Sequence, residues 1–130
     1  MSIKPEYETI GESFLQQYFS SNQRDFTAKF YGNDSILSVE KEKYYGSNDI
    51  SDKLSSLSAD YKVSFHEIQP SNNGILIILS GGMRFSGENN VINFTRVFFL
   101  TQAQTGSIYV KNDMFLITSG WRMMDDGYII

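Results

Sequence analysis

The chain has 130 residues, which fits a single domain spanning residues 1–130. Its formal net charge of −4 argues against direct binding of nucleic acid, because phosphate contacts need a basic surface. With no cysteine, it can form neither a disulfide nor a Cys-ligated zinc site. Because no stretch has the apolar length of a signal peptide or a membrane span, we expect a soluble intracellular protein.

The opening segment predicts an amphipathic helix. Pro5 suits its first turn, where a missing N–H costs no hydrogen bond. The apolar stripe that follows has helical spacing and consists of Tyr7, Ile10, Phe14, Leu15, Tyr18 and Phe19. Polar residues at positions 20–22 interrupt the pattern, so we expect the helix to end there.

Two shorter helices are predicted further along the first half of the chain. The first of these covers about residues 24–31 and carries Phe26 and Phe30 on one face. The second follows three cap-type residues at positions 47–49. Its inward face consists of Ile50, Leu54 and Leu57.

The pattern changes after Leu57, where apolar and polar residues alternate as in half-buried strands. Glycines at 81 and 82 interrupt one of these strands and predict a bend. A polar tip after an earlier short strand, where Lys41 and Lys43 alternate with acidic residues, is typical of a solvated hairpin. The predicted strands are residues 35–39, 61–68, 75–85, 91–102 and 108–117.

The order of these elements predicts an α+β fold. Three helices would pack into one face of a strongly bent antiparallel sheet of five or six strands, giving a cone-like shape. The other face of the strands is also rich in apolar residues, and an uncovered face of that kind usually binds a partner. Residues 119–130 are too short for a further domain and form a tail to which the sequence assigns no role.

The chain resembles the nuclear transport factor 2 family over about residues 4–117. Residues 4–19 follow the opening helix of that family, including the Ile10-Gly11 pair and the aromatic pair at its end. Residues 30–31, 53–57 and 112–115 resemble the end of its second helix, its third helix and its last strand. The resemblance implies the cone-like fold, also called cystatin-like, and dimers that form through the open sheet face.

The resemblance also implies an adaptor that carries Ran-GDP into the nucleus by way of phenylalanine–glycine repeats of nucleoporins. Such a protein would be found in the cytoplasm, in the nucleus and at the pore complexes of the nuclear envelope. The repeat-binding aromatic falls on Tyr7, and a phenol ring supplies most of the flat apolar area that a Phe needs. The cavity that accepts an aromatic side chain of Ran falls on Val39, Leu57, Ile92 and Phe115, with Glu40 and Glu88 as its rim acids.

This chain departs from the family pattern at two of these places. The family's acidic loop, with Asp on both sides of a central acid, reads Gly87-Glu88-Asn89 here. Val39 stands where the family has a Trp in the cavity wall. Because each lost carboxylate removes a charge-assisted contact of about 1.5–3 kcal/mol, we expect weaker binding of Ran.

Two related branches are alternatives. Residues 83–87, 93–94 and 99–103 also resemble the small subunit of the mRNA-export heterodimer, which shares this fold and pairs with a larger export receptor. The Ras-GAP SH3-binding proteins use a similar domain to bind short Phe-containing peptides in RNA–protein assemblies. In those proteins RNA-binding regions follow the domain, and this sequence shows none.

Asp113 lies in a mostly apolar strand, where a carboxylate needs a donor or a cation. The resemblance implies that this Asp helps to hold the dimer through a salt bridge. The expected position of its partner, near Glu67, holds His66 or Lys62. Local backbone N–H groups are the other candidate partners.

An enzymatic role is the remaining alternative, because the same fold is found in isomerases and dehydratases that use a carboxylate or a His in the cone interior. Here the expected cavity residues are apolar, and His66 lies on a strand before a turn. The sequence contains no HExxH motif, no GxSxG motif and no phosphate-binding loop. We therefore expect no catalytic residues, no metal and no cofactor.

Overall fold

The structure is a computed structural model in which residues 5–20 and 28–118 are described. Residues 28–30 are helical and lead directly into the first strand. The predicted helix at residues 24–31 is otherwise outside the described residues. The elements are α1 (Glu6–Ser20), β1 (Tyr31–Val39), β2 (Glu42–Tyr45), α2 (Gly46–Leu57), β3 (Ala59–Ser71), β4 (Gly74–Phe85), β5 (Ile92–Gln102) and β6 (Ile108–Ile117).

The six strands form one curved sheet in the order β2-β1-β6-β5-β4-β3. The predicted α+β fold is therefore confirmed. Its neighbouring strands are antiparallel except at one place, where β1 pairs with β6 in parallel and aligns Val39 with Phe115. The expectation of a wholly antiparallel sheet was wrong at this pair, because β1 precedes the meander of long strands and joins its far edge in the same direction as β6.

The helix α1 packs against the concave face of the sheet through Phe14 and Tyr18, which are buried. Gly11 makes this approach close, since a Cβ there would lie 2.9 Å from a methyl carbon of Ile68 on β3. The helix also buries aromatic side chains against one another, with the Phe14 ring 5.1 Å from that of Phe98 on β5. These contacts connect α1 to both the edge and the middle of the sheet.

The helix α2 begins at Gly46, before the residues that were predicted to cap it. Its N-cap is Tyr45, which makes no side-chain cap hydrogen bond, so the predicted capping by residues 47–49 was wrong. Gly46 has a φ of 84° and turns the chain from β2 into the helix, which places the polar residues inside the first turn. Ile50 and Leu54 are buried as predicted.

The bend predicted at Gly81-Gly82 coincides with a β-bulge on the neighbouring strand. The register between β3 and β4 shifts between Val63 and Phe65, opposite Gly81. A Cβ at Gly81 would lie 2.0 Å from the carbonyl oxygen of Lys62, so only glycine fits this close backbone approach. The bulge also changes the face to which later residues of β3 point.

Candidate functional site

The predicted repeat-binding residue, Tyr7, lies beside an open groove. This Tyr7 groove has a volume of about 530 Å³ and lies between the start of α1, the turn joining β3 to β4, and the ends of β5 and β6. Tyr7 itself is half-buried and packs against the core. The apolar side chains that line the groove are Tyr7, Ile10, Ile75, Leu100 and Ile108.

The four residues expected to line the Ran cavity belong to one apolar cluster. Val39 and Phe115 are buried neighbours on β1 and β6. Leu57 ends α2 and Ile92 starts β5, and both are half-buried against the same core. The rings of Tyr61 and Phe94 lie 6.1 Å and 5.8 Å from that of Phe115, so aromatic side chains surround this position. Binding of Ran by these residues stays a prediction.

The two rim acids lie at the same end of the sheet as this cluster. Glu40 is in the turn after β1, and its N–H donates to the carbonyl oxygen of Phe115 at 3.3 Å. Glu88 is exposed in the loop between β4 and β5, and its N–H donates to the carbonyl oxygen of Phe85 at 3.0 Å. The Tyr7 groove lies at the opposite end, where Gly74 aligns with Thr101 and Gln102 aligns with Ile108.

Asp113 is completely buried and pairs with Arg96 on the adjacent strand β5. The Arg96 Nε donates to Asp113 Oδ1 at 2.9 Å, and Nη2 donates to Oδ2 at 2.8 Å. The expected partners His66 and Lys62 were therefore wrong, and so were the local backbone N–H groups. Arg96 pairs with Asp113 because the two side chains lie on the same face of the sheet. A role for Asp113 at a dimer interface stays a prediction, and its burial means that such a role would act through its neighbours.

Two tyrosines complete this buried polar network. The Tyr31 hydroxyl donates to Asp113 Oδ2 at 2.6 Å, and Arg96 Nη2 donates to the Tyr18 oxygen at 2.7 Å. The two hydroxyls are 2.9 Å apart, and since Tyr31 uses its proton on Asp113, Tyr18 is the donor between them. The network joins α1, β1, β5 and β6.

Burial fixes the protonation states of this network at neutral pH. It raises the pKa of Tyr18 to about 12, and it raises the pKa of Tyr31 well above the usual 10, with the charge of Asp113 adding to the effect. Burial alone would lower the pKa of Arg96, but the charge and hydrogen bonds of Asp113, together with the neighbouring Tyr18 and Tyr31, outweigh burial and raise that pKa well above its usual value. None of these three groups exchanges a proton near neutral pH, so they do not form a general acid–base site.

Sequence reasoning did not identify Arg96, Tyr18 or Tyr31 as members of a polar network. One signal for Arg96 was present, because it shares the alternation of Phe94 and Phe98 and thus faces the core with them. A charged residue at a core position requires an opposite charge at another core position. Asp113 is the acidic residue of β6 that meets this condition.

The convex face of the sheet is apolar and exposed. It carries the side chains that alternate with the core residues of β4 and β6. The bulge in β3 directs Phe65 to this face, where it is 53% exposed. The large exposed hydrophobic residues of this convex face are Phe65, Leu76, Ile78, Met114 and Leu116. A continuous apolar surface on long strands is typical of a protein–protein interface.

The described part of the chain shows no sign of a metal or membrane site. Within residues 5–20 and 28–118, no three His, Asp or Glu side chains lie together in a way that could hold a metal ion. None of the helices in those residues has the length and apolarity needed to cross a membrane.

Known proteins resemble this chain in sequence and in fold. The nuclear transport factor 2 (NTF2) domain profile matches residues 10–117. Nuclear transport factor 2B of Arabidopsis thaliana is 31% identical over 115 residues, covering 83% of this chain and 91% of that protein. Nuclear transport factor 2 of Cryptosporidium parvum superposes with a TM-score of 0.78 at 26% identity, over 91% of this chain and 99% of the other. The Mtr2–Mex67 M domain complex of Candida albicans gives a TM-score of 0.70 at 16% identity, over 86% and 94% of the chains, which shows a shared fold.

Proposed function

Because the chain belongs to the nuclear transport factor 2 family, we propose that it is an adaptor of nuclear transport that binds Ran-GDP and the phenylalanine–glycine repeats of nucleoporins. It would then work in the cytoplasm and the nucleus and at the pore complexes of the nuclear envelope. The proposal needs two binding surfaces that can be occupied together, one for cargo and one for the pore.

The observation that carries the proposal is the separation of two largely apolar regions at opposite ends of the sheet. The Tyr7 groove lies where β5 ends and β6 begins. The apolar cluster around Val39 and Phe115, with Glu40 and Glu88 near it, lies at the other end. A Phe of a repeat in the groove would therefore not compete with an aromatic side chain of Ran for the second region.

The Tyr7 groove suits weak and repeated contacts. It is open to solvent along one side of α1, and its apolar residues come from four elements. A single Phe in such a groove buries limited area, so each contact is weak and short-lived, while several repeats in one nucleoporin keep the carrier near the pore. Rapid release is what passage through the pore requires.

Titration calorimetry with the full chain tests cargo binding. We expect Ran loaded with GDP to bind and Ran loaded with GTP to bind at least about tenfold more weakly, a difference of about 1.4 kcal/mol. Equal affinity for the two forms, or binding of neither, would contradict the Ran part of the proposal.

A second titration, with a phenylalanine–glycine repeat peptide and NMR detection, tests the pore contact. Tyr7→Ala should weaken binding about tenfold, because it removes most of the ring area beside the groove, whereas Tyr7→Trp should retain it. Tyr45→Ala is a matched control, since Tyr45 is 59% exposed on β2 and away from the groove. If Tyr7→Ala and Tyr45→Ala behave alike, the groove is not the repeat-binding site.

The exposed convex face favours a second candidate for the assembly. As a homodimer, the protein would pair this face with itself, whereas a small subunit of an mRNA-export heterodimer would pair it with a larger receptor. Light scattering on the pure chain separates the two, because the first predicts a dimer at micromolar concentration. A monomer that becomes soluble and stable only with the receptor domain would favour the second.

A further inference from the structure

A second groove lies between α1 and β3, and neither the Ran-binding nor the repeat-binding proposal uses it. This α1–β3 groove has a volume of about 490 Å³, within the range of small-molecule sites, and is open along the edge of the sheet. The helix contributes positions 12, 15, 16 and 19, which share one face because they are three or four residues apart. This face is distinct from the stripe of Phe14 and Tyr18 that packs into the core.

The bulge in β3 determines which side chains reach this groove. Before the bulge, Tyr61 and Val63 point to the helix side of β3. Simple alternation would then bring Phe65 to the same side, but the register shift sends Phe65 to the convex face, where it is 53% exposed. His66 takes the position on the groove side instead. β-Bulges redirect side chains in this way, often next to binding sites.

The floor of the groove is apolar and partly aromatic. Leu15, Phe19 and Val63 are half-buried and pack against the core. The rings of Phe19 and Tyr61 have centroids 5.8 Å apart and planes inclined by 65°, so they form two walls rather than a stack. Ring faces and edges at such an angle suit a flat apolar group, and their negative faces attract a cation.

The charge of the groove is negative on one side. Its described lining residues include one carboxylate, Glu12, one imidazole, His66, and the phenol of Tyr61, but no Lys or Arg. Glu12 Oε2 lies 3.9 Å from His66 Nε2, with both side chains roughly two-fifths exposed. The whole of α1 has three Glu and no basic residue in its last turn, which extends the negative potential along the helix.

From this combination we propose that the α1–β3 groove binds a small organic cation with a flat apolar body. The ring or alkyl body would lie on Phe19, Tyr61 and Val63, and the ammonium would lie beside Glu12. A cation is favoured over a neutral ligand because Glu12 faces it, and over an anion because none of the described residues that line the groove is Lys or Arg. The site is independent of Ran and nucleoporin binding.

The test compares tryptamine with indole-3-propionate, two probes with the same ring and opposite charge. Each is titrated into the ¹⁵N-labelled full chain at pH 7.5, and chemical-shift changes are read at Leu15, Phe19 and Val63. We expect tryptamine to bind about fivefold more tightly than indole-3-propionate, the factor that an exposed ion pair provides. Equal affinity, or shifts confined to the Tyr7 groove, would overturn the proposal.

Glu12→Gln and Glu6→Gln form a matched pair of variants. Both remove one negative charge from α1, but only Glu12 lines the groove. We expect Glu12→Gln to abolish the preference for tryptamine and Glu6→Gln to preserve it. The ¹⁵N spectra show directly that each variant is folded. If both variants lower the preference equally, the general charge of the helix explains it and the proposed site is wrong.

Discussion

Arg96 and Asp113 form a two-pronged ion pair in the interior of the cone, and neither side chain has any exposed surface. The guanidinium also lies 4.7 Å from the centre of the Phe115 ring and 4.8 Å from that of Phe98, so aromatic rings cover it. Two buried charges of opposite sign depend on each other, because either one alone would be desolvated without compensation. The stability of the fold therefore depends on keeping both or removing both.

Replacing one member of this pair should lower the stability of the fold more, per substitution, than replacing both members together. We expect Asp113→Leu and Arg96→Met each to lower the free energy of unfolding by about 3–5 kcal/mol, since each leaves a buried group without its partner. The double variant Arg96→Met/Asp113→Leu should lose clearly less than the sum of the single losses. Urea unfolding followed by circular dichroism, at one fixed protein concentration, measures all three. Strictly additive losses would show that the two residues are not energetically coupled.

The partner of Asp113 also shows how far the sequence could predict the site. The need for a donor or a cation followed from a carboxylate among apolar residues, and that much was correct. The choice between Arg96, His66 and Lys62 depended on strand register, and the register of β5 and β6 shifts between Phe99 and Leu100. Such a shift depends on contacts between strands that are distant in sequence, so alternation within one strand does not reveal it.

The same reasoning applies to the fold. Alternation predicted the long strands, and Ile108–Ile117 was predicted with its observed bounds. The glycine signal in β4 corresponds to a close backbone approach at Gly81, opposite the bulge in β3. The parallel pairing of β1 with β6 was missed, since local patterns describe the faces of a strand but not its neighbours. The positions of Tyr7, Val39 and Phe115 followed from the family resemblance, which carries this missing long-range information.

The buried tyrosines predict a loss of stability in alkaline solution. The pKa of Tyr18 is raised by burial to about 12, above the usual 10 of an unfolded chain. Unfolded molecules therefore lose this proton first, so the stabilising contribution is complete below pH 10 and disappears as the pH rises towards 12. A shift of this size corresponds to about 2–3 kcal/mol. Urea unfolding at pH 8, 10 and 11 measures the decline.

Tyr18→Phe should flatten this decline, because it removes the titrating hydroxyl, although it lowers stability at pH 8 by leaving Arg96 with one acceptor fewer. Tyr45→Phe is the control, since Tyr45 is exposed on β2 and should change neither the stability nor its pH dependence. If Tyr18→Phe declines between pH 10 and 11 as steeply as the unmodified chain, Tyr18 is not the source of the pH dependence.

The exposed convex face predicts which substitutions would weaken a dimer. Ile78→Lys places a charge in the middle of the apolar surface that also includes Leu76 and Met114. Because burying an unpaired ammonium costs several kcal/mol, we expect the dissociation constant of the dimer to rise at least about 100-fold. Light scattering over a concentration series measures this. Ile108→Lys is the control, since Ile108 is exposed to a similar degree as Ile78 but lines the Tyr7 groove instead of the convex face. Equal effects of the two substitutions would exclude the convex face as the interface.

The loop that joins β4 to β5 predicts how Ran affinity could be increased. Glu88 is flanked by Gly87 and Asn89, at positions where the family resemblance expects Asp. Gly87 has a φ of 83°, so a side chain there would strain the backbone, whereas Asn89→Asp changes charge alone. One added charge-assisted contact of about 1.5 kcal/mol should tighten Ran-GDP binding roughly tenfold.

Asn73→Asp is the charge-matched control, because it lies in the turn at the opposite end of the sheet. The gain from Asn89→Asp should shrink as salt is raised from 50 to 300 mM, since an exposed contact is screened. A gain shared by Asn73→Asp would reflect overall charge, and no gain from either would remove this loop from the proposed Ran surface.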